Sequence, residues 1–297
     1  MNQEKIKFAF FGTPKFSTII LDKLKAKNFL PSLIITAEDK PKGRNLLLVP
    51  PEAKIWAENN RTLFLQPRTL KSPETYKEIK SHGPFDFFVV ASYGKILPQE
   101  ILDIPKLGTL NVHPSLLPKL RGASPVRSAI LTEFETGVTI IQLDSQMDHG
   151  SIVAQEKNLS WNTPNSIPYA GELEDLLAHE GGKLLVEILS KWLEGKIKEK
   201  EQNHNLATFT KKIEKSDGEL NLDETPENNL RKIRAFQGWP TAYFFLDRPS
   251  SNLGGVGSKT RIIVKQAHIE EGKLVIDRII PEGKKEMSYK DFLNGLK

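Results

Sequence analysis

The strongest constraint on the fold is an alternation running through the first half of the chain: short apolar runs, each followed by a helix-like stretch. Lys7 to Phe11 (KFAFF) is apolar and closes on Gly12-Thr13-Pro14. A helical pattern follows, with Phe16, Ile19, Ile20 and Leu24 on one face. Ser32 to Thr36 predicts a second strand, and Leu63 to Leu65 a third, after a helix around Glu52 to Glu58. Phe85 to Ala91 (FDFFVVA) predicts a fourth and Thr109 to His113 a fifth. Strands separated by helical stretches of about 10–15 residues imply βαβ units and a mostly parallel, Rossmann-like α/β sheet. Val138 to Leu143 and Ile152 to Gln155 are close enough in sequence to add an antiparallel pair.

Gly171 to Leu193 reads as one long helix, with leucines and Ile188 recurring at three- and four-residue steps. The pair Gly181-Gly182 is costly in a helix interior, so it argues against continuity there. Glu194 to Asn205 (EGKIKEKEQNHN) is polar and charged, the pattern of a linker. Beyond it the texture changes. A short helix at Glu227 to Phe236 precedes strands at Ala242 to Leu246, Arg261 to Lys265 and Lys273 to Ile280, with Gly-rich turns between them. That pattern predicts a small OB-like β-barrel.

Composition removes several chemistries. The 297 residues include no cysteine, which excludes disulfides, thiolate nucleophiles and cysteine-ligated metals, and agrees with a reducing compartment. No apolar run approaches the ~20 residues that cross a bilayer. The start, MNQEKIKFAFFG, runs directly into a strand pattern, so a cytoplasmic chain without a presequence is expected. A net charge of +5 permits a nucleic-acid partner without requiring one.

The segment Gly108 to Gly122 (GTLNVHPSLLPKLRG) concentrates polar groups at a strand end. Alternation turns Leu110 and Val112 to one face and Asn111 and His113 to the other. Pro114 then ends the strand. Downstream, Asp148 follows a strand and precedes His149-Gly150 in a turn. A carboxylate beside a strand-end imidazole orients it and favours its charged form, while an amide donates to a developing oxyanion. Taken singly, His113 reads as a satisfied core histidine and Asp148 as a turn former. Gly12-Thr13-Pro14 reads as a tight turn with Thr13 as helix N-cap rather than a dinucleotide loop. In Glu38 to Pro51 a basic front of Lys40, Lys42 and Arg44 meets Leu46-Leu47-Leu48. Such a loop either inserts into a groove or folds its leucines back on the core. No spaced ligand cluster marks a metal site, and no GxSxG elbow supports Ser115 or Ser124 as a nucleophile.

Longer stretches carry a resemblance. FFGTPKFS (Phe10 to Ser17), DKPKGR (Asp39 to Arg44), LQP (Leu65 to Pro67), ASYGKILP (Ala91 to Pro98), NVHPSLLPKLRGASPV (Asn111 to Val126) and TGVTIIQLDSQMDHG (Thr136 to Gly150) resemble the folate-dependent formyltransferases. ATFTKKI (Ala207 to Ile213), IRAFQGWP (Ile233 to Pro240) and PEGKKEM (Pro281 to Met287) resemble the branch of that family that acts on methionyl-tRNA. The resemblance implies that Asn111, His113 and Asp148 are catalytic. It implies a folate site built from Tyr93, Ile96, Ser115, Leu116, Leu117 and Pro118, with Leu143 and Asp144 beside it. It implies RNA contact by Lys40, Lys42 and Arg44, and an RNA-holding barrel. The expected division is a catalytic domain over 1–193, a linker over 194–208 and a tRNA-binding domain over 209–297. Two positions depart from the family's pattern. Leu46 and Leu47 stand where a Lys pair is usual, and His149 where a Thr is usual.

The expected reaction moves a formyl group from 10-formyltetrahydrofolate to the α-amino group of methionine on charged initiator tRNA. It uses no metal and no covalent intermediate. The chain is expected to act as a monomer away from any membrane. The alternatives are formyl transfer to an amino sugar nucleotide or purine precursor, hydrolysis of the formyl donor, and an inactive folate- or RNA-binding module.

Overall fold

In a computed structural model of the chain, residues 6–42, 46–248 and 258–296 are described. Contacts divide the chain into two units, each drawn from more than one stretch of sequence.

The first unit comprises Met1–Pro125, Thr136–Leu159 and Glu174–Thr210. It opens with strand β1 (Phe8–Gly12), helix α1 (Lys15–Lys25) and strand β2 (Leu33–Ile35). A hairpin follows, β3 (Lys40–Lys42) and β4 (Leu47–Val49), and then α2 (Glu52–Asn59). Next come β5 (Phe64–Leu65), α3 (Pro73–Ser81), β6 (Phe87–Ala91), the short α4 (Gln99–Leu102) and β7 (Thr109–His113). After β8 (Arg121–Gly122) the chain runs through α5 (Pro125–Thr132), nearly all of which is grouped with the second unit, to the strands β9 (Glu135–Gln142) and β10 (Ile152–Ser160) and the long α6 (Ala170–Leu193), whose first turn is also grouped with the second unit. A last short strand, β11 (Phe209–Thr210), pairs in parallel with β8.

The main sheet has seven strands in the order β10-β9-β7-β6-β1-β2-β5. The five from β7 to β5 are parallel, and β9 joins β7 antiparallel. β1, β6 and β7 are buried along their whole length. That explains why they read as continuous apolar runs: a parallel strand covered on both faces leaves no solvent side. The chain leaves β1 towards β2 and β5, then returns to β6 and β7 on its other side. In open sheets of this kind the carboxyl ends of strands at such a reversal border a crevice.

α6 is continuous through Gly181-Gly182, and packing explains the pair. A Cβ on Gly181 would stand 2.6 Å from Val112 Cγ1 and 3.2 Å from Val138 Cγ1. The helix therefore lies closer to β7 and β9 than any larger residue permits. At the start of α1, Pro14 rather than Thr13 occupies the N-cap, with no side-chain cap bond. Thr13 is used elsewhere. Its N–H donates to Ser17 Oγ (2.9 Å) and its hydroxyl to the Tyr93 carbonyl (3.2 Å), fastening the β1 turn to the end of β6.

Residues 194–208 cluster with the first unit. Lys200 exchanges backbone hydrogen bonds with Ile152, both 2.8 Å, and Gln202 is 4% exposed. The polar composition that predicts a linker here instead satisfies buried polar groups.

The second unit comprises Val126–Glu135, Ser160–Leu173 and Lys211–Lys297. Helix α7 (Pro226–Ala235) precedes strands β12 (Ala242–Arg248), β13 (Ser258–Glu270), β14 (Lys273–Pro281) and β15 (Met287–Ser288) and helix α8 (Tyr289–Asn294). The strands form an antiparallel sheet in that order. Leu230, Ile233, Phe244, Ile262, Val264, Ile279 and Phe292 make its core. Arg231 explains why an early segment belongs here. Its Nη1 donates to the carbonyls of Ile130 (2.7 Å) and Glu133 (2.9 Å), and its guanidinium lies over the Phe134 ring. Buried carbonyls at a helix end need such donors. Among the described residues, no helix is long and apolar enough to cross a membrane.

Candidate active site

β7 ends at the reversal side of the sheet, and its last residues carry the amide and the imidazole. Both are buried, Asn111 at 8% and His113 at 4% exposure. His113 Nε2 lies 3.1 Å from the Leu120 carbonyl. A carbonyl only accepts, so Nε2 carries a proton and the ring is fixed in one tautomer. Nδ1 is left facing Asp148 Oδ1 at 3.5 Å. Asn111 Nδ2 reaches the same oxygen at 3.4 Å. One carboxylate oxygen thus faces both groups.

The other oxygen, Oδ2, accepts from the Gly122 N–H at 2.8 Å. Asp148 sits in the turn between β9 and β10 with φ +49, the left-handed region that side-chain-bearing residues rarely adopt. Gly150 closes this turn against the strand. A Cβ there would stand 1.7 Å from the Gln142 carbonyl, so only glycine fits. The MDHG run is therefore one device: a strained residue that presents a carboxylate, and a glycine that permits its approach.

The loop after β7 is held from below. Ser115 is fully buried, and its hydroxyl donates to the Lys119 carbonyl (2.7 Å). Thr139 Oγ1 donates to the Ser115 carbonyl (2.7 Å) and accepts from the Leu117 N–H (3.1 Å). Gln155 Nε2 donates to the Leu117 carbonyl (2.8 Å). Leu117 itself is buried, whereas Leu116 and Pro118 are half-buried.

The other expected folate residues are spread more widely. Tyr93 is buried among Phe11, Leu97 and Ile101, edge-on to Phe11, and its hydroxyl has no hydrogen-bond partner among the described residues. Burial raises its phenol above the ordinary range. Leu143 packs on the same cluster, while Ile96 is 75% exposed. Asp144 accepts from the Gln146 N–H (2.8 Å) and from His149 Nδ1 (2.6 Å).

The basic residues of the expected RNA loop frame a hairpin. Lys40 is exposed at the start of β3, Lys42 is its last residue, and Arg44 lies outside the described residues. Leu46, Leu47 and Leu48 are 70%, 67% and 68% exposed, so they do not fold back on the core. The base is fastened by Asp39, which accepts from Lys54 Nζ (2.8 Å) and Gln66 Nε2 (2.8 Å). The Gln66 and Lys54 contacts hold the Asp39 carboxyl below the usual carboxylate range.

Three further residues have roles that sequence reading missed. Gln202, His204 and Arg121 join the Asp148 turn over separations of 52 to 83 residues. No local signal marks them, because their pairing exists only once the chain is folded. Among the described residues, no group of three or more His, Asp or Glu is arranged to hold a metal ion.

A Rossmann-like sheet with an amide, an imidazole and a carboxylate converging beside one strand end defines an α/β protein with a polar centre suited to acyl transfer. The chain belongs to the formyl transferase family: that family's pattern matches residues 4–189, and the pattern of the formyl transferase C-terminal domain matches residues 212–297. A methionyl-tRNA formyltransferase of Thermodesulfovibrio yellowstonii is 37% identical over 299 residues, covering 97% of this chain and 95% of that one. Among solved structures, a methionyl-tRNA formyltransferase from Clostridium thermocellum matches with a TM-score of 0.58 at 17% identity, covering 93% of this chain and 99% of that one. A sugar N-formyltransferase from Shewanella matches with a TM-score of 0.61, also at 17% identity, covering 81% of this chain and 93% of that one. Shape alone therefore does not separate the two acceptors; the full-length sequence match does.

Proposed function

We propose that the chain transfers a formyl group from 10-formyltetrahydrofolate to the α-amino group of methionine on initiator tRNA. The observation that carries this reading is the convergence of Asn111, His113 and Asp148 on one corner. The match to a methionyl-tRNA formyltransferase over nearly the whole chain gives the acceptor.

The amine attacks the formyl carbon, a C–N bond forms, and the carbonyl oxygen becomes an oxyanion. The bond from carbon to the folate nitrogen then breaks, and that nitrogen takes a proton. Asn111 has two amide hydrogens and offers one to Asp148, so the second is free to donate to the oxyanion. His113 keeps its Nε2 proton on Leu120, so Nδ1 is the nitrogen that gains and loses a proton during the reaction. Asp148 Oδ2 is engaged by Gly122, which leaves Oδ1 to orient Nδ1 and to receive the amine proton, directly or through water. A free α-amino group titrates near ~8, so part of the acceptor is already nucleophilic at neutral pH. Positioning and charge stabilisation therefore matter more here than a strong base.

The donor's pterin end fits beside this corner. The Ser115–Pro118 loop is braced by Thr139 and Gln155, and the unpartnered Tyr93 hydroxyl awaits an acceptor or donor. The segment carrying Lys40, Lys42 and Arg44 contacts the acceptor end of the tRNA, and residues 209–297 add RNA-binding surface. The chain works as a monomer in the cytoplasm, with 1–193 for chemistry and 209–297 for tRNA, joined by residues 194–208, which pack with the first unit.

A formylation assay with 10-formyltetrahydrofolate tests this, comparing charged initiator with charged elongator methionyl-tRNA. Transfer to the initiator in strong excess supports the reading. Transfer to neither, with transfer to a dTDP-amino sugar instead, would overturn it.

A further inference from the structure

Asp148 is the one member of the corner that is not on a strand, yet its position is the most closely specified. Its backbone is in the left-handed region, a conformation that persists only when surroundings impose it. The carboxylate contact to Gly122 fixes one oxygen but does not fix the turn. The turn is gripped from a different part of the chain. Gln202 Nε2 donates to the carbonyl of Asp148 at 2.9 Å and to that of Gly150 at 2.7 Å. One amide thus holds the residues on both sides of His149.

Gln202 is in turn held by Arg121. Arg121 Nη2 and Nε donate to Gln202 Oε1 at 2.6 and 3.2 Å. Both residues are buried, Arg121 at 3% exposure. Burial lowers the Arg121 pKa, and the Asp148 and Asp144 carboxylates oppose that shift. Arg121 Nη2 also lies 2.9 Å from His204 Nδ1. A guanidinium only donates, so this ring nitrogen accepts. His204 then stacks flat on His149, with ring centroids 4.1 Å apart and planes 1° from parallel. His149 is itself tied to Asp144. The two departures from expectation, a buried "linker" and a histidine after Asp148, meet in one network.

We propose that Gln202, oriented by Arg121 and His204, is a positioning residue that fixes Asp148 towards Asn111 and His113. The proposal rests on the catalytic reading of Asp148. Every polar atom of the Gln202 amide is used, and none of its partners is a strand ladder group, so the amide specifies the turn rather than the sheet. Gln202 does not touch the reacting atoms; it acts through Asp148.

The test is a double-variant cycle on the full-length chain. Gln202→Glu keeps an acceptor for Arg121 and loses both donors to the turn. Gln202→Leu removes donors and acceptor together. Each is expected to lower kcat at least tenfold, with KM for both substrates within twofold of the parent. Gln202→Glu should melt close to the parent. Added to Asp148→Asn, it should cost less than a further twofold, because its effect is already spent. A normal kcat, a loss confined to KM, full multiplicative losses in the double variant, or failure of Gln202→Glu to fold would each overturn the positioning role. If Asp148→Asn keeps near-parental kcat, the catalytic reading falls and the positioning role with it. If Asp148→Asn is inactive while Gln202→Glu is not, only the positioning role falls.

Discussion

The Asp148 corner and the Lys40–Val49 hairpin are both non-core segments of the first unit, and they are built in opposite ways. The corner is buried and held several times over: Asp148 by Gly122 and Gln202, His113 by Leu120, the adjoining loop by Thr139 and Gln155. The hairpin is fastened at its base through Asp39 and presents three leucines to solvent at its tip. The difference suits the two tasks proposed for them. Chemistry at a formyl carbon needs groups fixed before the substrate arrives. Recognition of a large, charged acceptor tolerates a surface that completes itself on contact.

The sharpest way to break this comparison is at the corner. Asp148→Asn, Asn111→Ala and His113→Ala are each expected to lower kcat by ~10²–10³, the usual worth of one oxyanion-type group. Far-ultraviolet dichroism and thermal melting check that the fold is retained. Retained turnover in all three would show that the corner is structural.

The next effect is on stability. Gly181 lies under Val112, between the two site residues of β7, and has no room for a methyl group. Gly181→Ala is expected to cost ~1–3 kcal/mol by overpacking. Leu48→Ser at the hairpin should change stability by within ~0.5 kcal/mol, since its side chain is already exposed. Urea melts of the two variants measure the contrast directly. Equal losses would mean that the hairpin is packed as tightly as the corner.

A smaller effect concerns salt. Restoring positive charge with Leu46→Lys and Leu47→Lys adds two phosphate contacts if the hairpin meets RNA. The slope of log affinity against log salt for charged tRNA then steepens by up to ~1.8, with kcat unaltered. An unchanged slope would place the hairpin away from the phosphates. Smallest of all is the pH effect of Asp39. Its carboxyl is held below the ordinary range, so its stabilising contacts are present above the unfolded-state value and are lost as pH falls through the folded one. Asp39→Asn should therefore lower stability slightly at neutral pH, flatten the acid limb and converge with the parent at low pH, as pH-dependent melts would show.

Sequence revealed what local periodicity and composition encode. The parallel sheet was legible because β1, β6 and β7 are covered on both faces and so read as apolar runs. Asn111 and His113 were legible because a strand fixes which residues share a face. Asp148 needed the longer resemblance, since a turn residue carries no periodic signal. Gln202 was illegible: a glutamine in a charged stretch looks solvated until Arg121 and two carbonyls far away in sequence surround its amide. The grouping of residues 126–135 with the second unit was illegible for the same reason, since Arg231 ties them to it from about a hundred positions away. Gly181-Gly182 argued locally against a continuous helix, and packing against Val112 and Val138 overrode that cost.

A single-turnover assay with 10-formyltetrahydrofolate and charged initiator tRNA, run on the parent and on Asp148→Asn, shows whether this corner formylates methionine. Rapid formyl transfer by the parent is expected, with a rate lower by ~10²–10³ in the variant and tRNA affinity unchanged. Equal rates in the two proteins, or no transfer by the parent, would contradict it.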